Sequence, residues 1–371
     1  MSIGIIAEYN PFHNGHLYHL NKIKEMYPND TIILVTNSYF SQRGNISILN
    51  KWDKTNIALN LGIDLVVELP FVFASQSADI FARGSIEILN ALKVDKLIFG
   101  SETNDIELLK KIADIDLNTP LVKTYLNKGL SYPDSISKII MSNTNFKLEN
   151  PNDILAVSYI REIKRLNSNI SPICIKRTND YHSLKLSNIC SASSIRKALK
   201  DKKNISNYIP QIITPYLNEV HFIDEYFHIL KYKILTDNIN KYQTVDEGIE
   251  HRFKKYILES TNIENFIQKV KTKRYTYNKI SRMIIHILCG FTKEEAKELK
   301  TEYIRILGFN EKGQKYLKKI KKDITIPLIS KYKKFKNLEI EIRSTYAYTS
   351  ILSSEIQRNL INLEYKNNPK K

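Results

Sequence analysis

Four short apolar runs, SIGIIA (2–7), TIILVTN (31–37), DLVVELP (64–70) and KLIFGS (96–101), recur through the first hundred positions of this chain. None alternates apolar with polar residues, so each reads as a strand covered on both faces, the condition met inside a parallel sheet. Helical periodicity fills the gaps, in GHLYHLNKIKEMY, in KWDKTNIALNLG, which Gly62 stops, and in SADIFARGSIEILNALKV. Strand and helix in strict alternation predict an α/β fold, a doubly wound parallel sheet of Rossmann-like type. A further strand, PICIKR (172–177), and a helix opening near SSIRKALKD (193–201) complete the pattern. From Ile205 onward helices dominate, among them TPYLNEVHFIDEYFHILKYKIL and NKISRMIIHILCGF. The expected division is therefore an α/β catalytic domain over 1–205 and a mostly helical domain over 206–371.

Charge separates the same two regions. Residues 1–250 hold 28 Lys and Arg against 27 Asp and Glu, whereas residues 251–371 hold 28 against 12. An AT-rich coding bias toward lysine would not spare the first 250 positions, so the last third is expected to meet a polyanion. Cys174, Cys190 and Cys289 form no CxxC pair and suggest neither a disulfide framework nor a zinc site. The first residues show no basic n-region followed by an apolar stretch and a small-residue cleavage site, and no run of about 18 apolar residues occurs. A cytoplasmic protein with no membrane partner is expected.

Three histidines crowd the turn after the first strand, in GIIAEYNPFHNGHLYHL (4–20). Ligands of open α/β sheets sit at the carboxyl ends of strands, where loops enter helix N-termini that favour phosphate. His13 and His16, three apart with Gly15 between them, put two imidazoles on one side of such a turn. His19 on its own reads more readily as a capping or solvated residue than as a ligand contact. In ICSASSIRKAL, hydroxyls of Ser191, Ser193 and Ser194 precede a helix and Arg196 lies in its first turn, the makings of a second anion site, although an ordinary capped helix looks similar. Neither GxxxxGK[ST] nor GxGxxG occurs. Farther on, KVKTKRYTYNKISRMIIHILCG (269–290) interleaves Lys271, Lys273, Arg274, Lys279 and Arg282 with Tyr275 and Tyr277, a composition suited to phosphates and stacked loop bases. KGQKYLKKIKKD (312–323) reads as a solvated or RNA-facing helix and KNNPKK as a frayed tail.

The histidine turn resembles the HIGH-type signature of the nucleotidyltransferase superfamily. With KWDKTNIALNLGIDLVVELPF, LIFGSE, PNDILAVSYI and TKRYTYNKISR, it is similar more narrowly to the bacterial tRNA(Met) cytidine acetate ligases, over nearly the whole chain. That resemblance implies acetate activated by ATP, with Mg2+ expected alongside, and acetyl transfer to the wobble cytidine of elongator tRNA(Met). It implies His13, His16 and Arg196 as catalytic residues. It implies ATP contacts along Ile6, Ala7, Glu8, Tyr9, Asn10, Pro11, Phe12, His13, Asn14, Gly15, His16, Leu17, Tyr18 and His19, and at Gly100, Asn152, Arg177, Ser193 and Ser194. Ser193 stands where the family is expected to carry Thr. The tRNA contacts fall to Lys271, Lys273, Arg274, Tyr275, Lys279 and Arg282. An acetate pocket is not legible: Glu8, Ser75, Gln76, Ser77 and Arg83 lie near strand-end loops, and Asp64 and Glu68 read as partners of nearby amides. Two other classes compete: an adenylyltransferase for a small phosphorylated acceptor, which needs no basic extension, and a nonenzymatic RNA-binding protein.

Overall fold

The computed structural model describes residues 1–117, 119–177, 191–366 and 368–370. Strand and helix alternate as the periodicity demands: β1 (Ser2–Ile6), α1 (Asn14–Met26), β2 (Thr31–Asn37), α2 (Lys51–Asn60), β3 (Leu65–Leu69), α3 (Phe71–Ala74), α4 (Ala78–Ala91) and β4 (Lys96–Ser101). Every residue of β2 and β3 is buried, which is why those runs carry no polar alternation. The passage from β4 to β5 (Ser171–Lys176) holds α5 (Ile106–Ala113), α6 (Pro120–Asn127), α7 (Tyr132–Thr144) and α8 (Pro151–Arg165); α9 (Ala192–Lys200) follows.

The sheet order is β5-β4-β1-β2-β3-β6-β7. Its first five strands are parallel, with Ile5 level with Leu34 and Gly4 level with Leu97. β1 lies between β2 and β4, so the chain winds outward from it in both directions. A crevice therefore opens where β1 and β4 end, the position at which doubly wound sheets bind ligands.

The helical region comprises α10 (Phe227–Thr236), α11 (Ile249–Leu258), α12 (Ile263–Val270) and α13 (Tyr277–Cys289). One long helix over TPYLNEVHFIDEYFHILKYKIL does not form. Pro215, which lacks an amide donor, sits in a 3-10 segment at Gln211–Leu217, and the Glu225 carboxylate accepts the Phe222 amide at 2.6 Å to start a new turn before α10.

Residue 205 is not where the sheet ends. β6 (Ile304–Phe309) pairs antiparallel with β3, and β7 (Leu328–Ile329) runs parallel to β6. Between them α14 (Glu311–Ile320) packs against the sheet through Tyr316, whose hydroxyl donates to Leu92 O at 2.7 Å, while Lys315, Lys318 and Lys319 remain exposed. The tail is not frayed at Lys370, whose amide donates to Leu307 O at 2.9 Å and whose carbonyl accepts the Phe309 amide at 2.8 Å. α15 (Lys336–Thr349) and α16 (Ser354–Lys366) complete the chain.

The return is fastened by buried charge. Lys51 of α2 lies 2.5 Å from Glu68 of β3 and 2.8 Å from Glu364 of α16, and Arg305 of β6 lies 2.6 Å from Glu364. Glu68, expected to bond amides, is thus an ion-pair partner, and also accepts the Ser38 hydroxyl at 2.9 Å. Asp64 does accept amides, from Ile32 and Asn310. Burial raises Glu364, but Lys51 and Arg305 overcome it and hold the carboxyl down to about 2. Glu341 of α15 is pushed up to about 7 by burial and by Glu68, and it caps α3 by accepting the Phe71 amide at 2.6 Å. Cys174 and Cys289 are free thiols, and Cys190 lies outside the described residues. Among the described residues, no helix is long and apolar enough to cross a membrane.

Candidate active site

A cavity of about 410 Å³ occupies the crevice. Ile6, Ala7, Glu8, Tyr9 and Asn10 line it from the end of β1, and His13, Gly15, His16, Tyr18 and His19 from the first turns of α1. Gly100 lines it from β4, Asn152 from α8, Arg177 from the end of β5, and Ser193 and Arg196 from α9. Residues nearly two hundred positions apart in sequence converge there because β1, β4 and β5 are neighbours in the sheet.

His13 is the N-cap of α1. Its Nδ1 accepts the Gly15 amide at 3.0 Å, and Nδ1 of His16 accepts the His13 amide at 3.3 Å. Each Nδ1 is an acceptor, so in the neutral ring the proton sits on Nε2. The two imidazoles stack with centroids 3.8 Å apart. Burial, reinforced by Arg177 and Arg196, lowers His13 to about 3; burial and the His13 neighbour lower His16 well below its ordinary value. Burial and Arg177 bring His19 to about 4, and its buried Nε2 has no protein partner. The site is a set of neutral N–H donors beneath two guanidiniums, suited to phosphate oxygens.

The depressed pKa values predict acid sensitivity. Unfolded imidazoles take up protons below about 6.5, whereas His13 resists until about 3, His19 until about 4, and His16 is held well below its ordinary value, so stability is complete above 6.5 and declines as pH falls below it. Each imidazole costs up to about 1.4 kcal/mol per pH unit. Denaturant unfolding of the ligand-free protein at pH 6.5 and 5.5 measures the loss, and equal stabilities would show that the rings are not held neutral.

Opposite charges set the rest of the first wall. Arg196 donates to Asn10 O at 2.7 Å and to Ser193 Oγ at 3.1 Å, which ties α9 to the β1 loop. Asp153, fully buried, accepts from Ser101 Oγ, the Glu102 amide and both donors of Thr103, fixing the loop after β4 against α8. Asn152 then reaches Glu102 at 2.5 Å, and Arg177 lies 4.0 Å from the same carboxylate with its buried Nε lacking a hydrogen-bond partner. A Cβ at Gly100 would stand 3.2 Å from Arg177 Cγ, so glycine lets that arginine cross the strand end. Glu8 accepts the Gln42 amide at 2.6 Å and is raised by burial; Lys54, buried beside it, is lowered by burial to about 7.

Five residues expected to touch nucleotide do not line the cavity. Phe12 is buried in the core, Pro11 follows a cis peptide, and Leu17 packs against the core from the other side of the helix turn. Asn14 donates to Asn207 O at 2.9 Å, and the Ser194 hydroxyl donates to Ser191 O at 2.8 Å, closing its own helix turn. Asn10 lines the cavity but its amide is committed to Ile46 O and the Ile48 amide, holding the loop that follows β2. Ser75, Gln76, Ser77 and Arg83 are also outside the lining.

Sequence reasoning missed the remaining wall. Gln42, Arg43, Gly44 and Asn45 line it from the β2–α2 loop, and Asn278 and Ser281 from α13, with Ile263 and Ile267 of α12; Tyr277, singled out in the sequence beside the basic residues, lines it as well. Gly44 adopts φ +76°, and a Cβ there would fall 2.3 Å from Arg282 N, so the loop and α13 touch backbone to backbone. The glycine was the available signal, but its neighbour Arg282 is 238 positions away. Tyr275, expected to stack on bases, is buried with its hydroxyl on Asp246 O and Glu247; filling the core leaves its ring no free face. Lys271, Lys273 and Arg274 are exposed, Arg274 pairing with Glu247 at 2.6 Å. Lys279 packs over the Tyr275 ring, and Arg282 is partly buried toward Arg43. Among the described residues, no group of three or more His, Cys, Asp or Glu is arranged to hold a metal ion.

The HIGH Nucleotidyl Transferase family model matches residues 1–362. The chain is 38% identical to a tRNA(Met) cytidine acetate ligase of Anoxybacillus flavithermus over 99% of each chain, and 39% identical to one of Clostridium acetobutylicum over 95% of this chain and 96% of that one. Its structure is similar to that of Thermotoga maritima TmcAL in the apo state, at 30% identity and TM-score 0.91, covering 100% of this chain and 99% of the other. Similarity to the same protein bound with alpha-thio ATP gives 31% identity and TM-score 0.86 over 96% of each.

Proposed function

The chain belongs to the HIGH nucleotidyl transferase family and, within it, to the tRNA(Met) cytidine acetate ligases, and on that premise we propose how its cavity works. It is an ATP-dependent ligase that activates acetate and acetylates the wobble cytidine of elongator tRNA(Met) at N4. An acetate oxygen attacks the α-phosphate, forming acetyl-adenylate as pyrophosphate leaves. The cytidine N4 then attacks the acetyl carbon. The new C–N bond forms, the C–O bond to phosphate breaks with its electron pair on AMP, and the N4 proton passes to the departing phosphate.

One observation carries this reading: two stacked, neutral imidazoles with Nδ1 held by backbone amides and Nε2–H left as donors, beside Arg177 and Arg196. Displacement at phosphorus needs charge neutralised and groups positioned more than it needs covalent help. Preset neutral donors with fixed cations supply that without reorganisation. ATP would bring Mg2+ on its own phosphates, and no step is assigned to the ion. The test is exchange of labelled pyrophosphate into ATP with acetate, with and without tRNA(Met). Acetate-dependent exchange is expected; exchange that needs a phosphorylated acceptor instead, or none under any condition, overturns the reading.

Lys271, Lys273 and Arg274, exposed on the segment before α13, are the residues we assign to tRNA phosphates, Arg274 exchanging Glu247 for phosphate. Lys273→Ala with Arg274→Ala is expected to weaken tRNA binding and flatten its salt dependence by about one to two in log–log slope, while exchange is unaffected. Filter binding across a salt series measures both. A tRNA substrate supports a cytoplasmic location.

A further inference from the structure

We propose that Asn278, with Tyr277 and the Arg43–Arg282 pair, forms the seat of the acceptor cytidine, and that Asn278 positions N4 for attack. This rests on the ligase reading and deepens it. Residues 271–274 and Asn278 are almost consecutive, so RNA held by the exposed cations delivers a base directly to the wall where α13 meets the cavity.

The side chains of that wall are not equivalent. The Ser281 hydroxyl donates to Tyr277 O at 3.0 Å, and the Tyr277 hydroxyl donates to Glu264 at 2.5 Å, which leaves the Tyr277 ring, 36% exposed, as a face for stacking. Asn278 is exposed on the cavity lining. Its amide offers one carbonyl acceptor and one NH₂ donor side by side. Cytosine presents the complement, an N4–H donor beside the N3 acceptor. A bidentate contact there would use one N4 hydrogen, holding the base in register with the acetyl carbon and leaving the nitrogen lone pair outside the base plane.

Charge favours a nucleotide over a neutral molecule at this position. The Gly44 contact sets the loop carrying Arg43 against the backbone of Arg282; Lys279 adds positive charge beside Arg282, and Glu8 is the carboxylate that acts on Arg43. Burial and Arg43 lower Arg282 to about 10, a cost that an anion would relieve. A phosphate flanking the wobble base fits there, since an anticodon-loop base is already unpaired and reaches a pocket without opening a helix.

Two partial reactions separate the outcomes. Asn278→Ala is expected to leave acetate-dependent pyrophosphate exchange within about 2-fold of wild type and to slow single-turnover acetyl transfer to tRNA(Met) by about 10–100-fold, the scale of one bidentate base contact. Asn278→Gln should recover part of the loss, and Arg282→Gln should slow transfer with exchange retained. Unchanged transfer in Asn278→Ala, or exchange falling in step with transfer, overturns the proposal. Failure of wild-type exchange with acetate overturns the ligase reading itself.

Discussion

Alanine at His13 or His16 is expected to lower acetate-dependent pyrophosphate exchange by about 100- to 1,000-fold, the usual loss when one preset donor is removed from a developing oxyanion. Each ring does two things. Its Nδ1 closes the N-terminus of α1, and its Nε2–H is the donor left for phosphate. Loss of the cap alone costs about 1 kcal/mol of stability, so alanine must be compared with a residue that caps without donating to the cavity. His13→Asn keeps a cap-forming side chain. Thermal unfolding of this variant should match wild type while its exchange falls as far as in His13→Ala. Exchange near wild type in His13→Asn would show that the histidine serves the helix and not the phosphate. Neither change should alter tRNA binding, because the exposed cations at 271–274 are on another element.

Lys51→Met is expected to destabilise the fold by about 3–5 kcal/mol. Lys51 is fully buried and lies within 4.0 Å of Glu68, Glu341 and Glu364. Removing it leaves three carboxylates with Arg305, and with Lys54 acting on Glu68 and Glu341 without an ion-pair contact, and no water to share the charge. The carboxylates can escape by binding protons, so the deficit should shrink as pH falls from 8 to 6. Chemical denaturation at those two pH values reads the effect, and Lys51→Met with Glu364→Gln should regain part of it by removing the orphaned charge. A loss below about 1 kcal/mol would place the cluster in the same class as exposed ion pairs. Lys51 and Lys54 share α2, and Lys54 donates to Glu8 O and Asn37 O at the ends of β1 and β2. Severe loss of Lys51 should therefore loosen the β1 and β2 ends as well.

The legible features were those written within a few consecutive residues. Continuous apolar runs announced β1 to β5, Gly62 stopped α2, and the HxGH turn stood after β1, each because burial or a turn leaves its mark locally. β6 escaped notice because Arg305 interrupts its apolar run. That arginine is tolerated inside the sheet only because Glu364, 59 positions later, arrives to pair with it.

Local chemistry in the sequence thus determined the strand–helix order, the capped turn holding His13 and His16, and the Ser-rich start of α9, since backbone geometry and neighbouring side chains suffice for each. Tertiary structure alone decided that the last third rejoins the sheet, that Tyr275 fills the core, and that α13 closes the cavity through the Gly44 contact. Those outcomes depend on which distant surfaces meet, and burial and charge pairing are properties of the meeting.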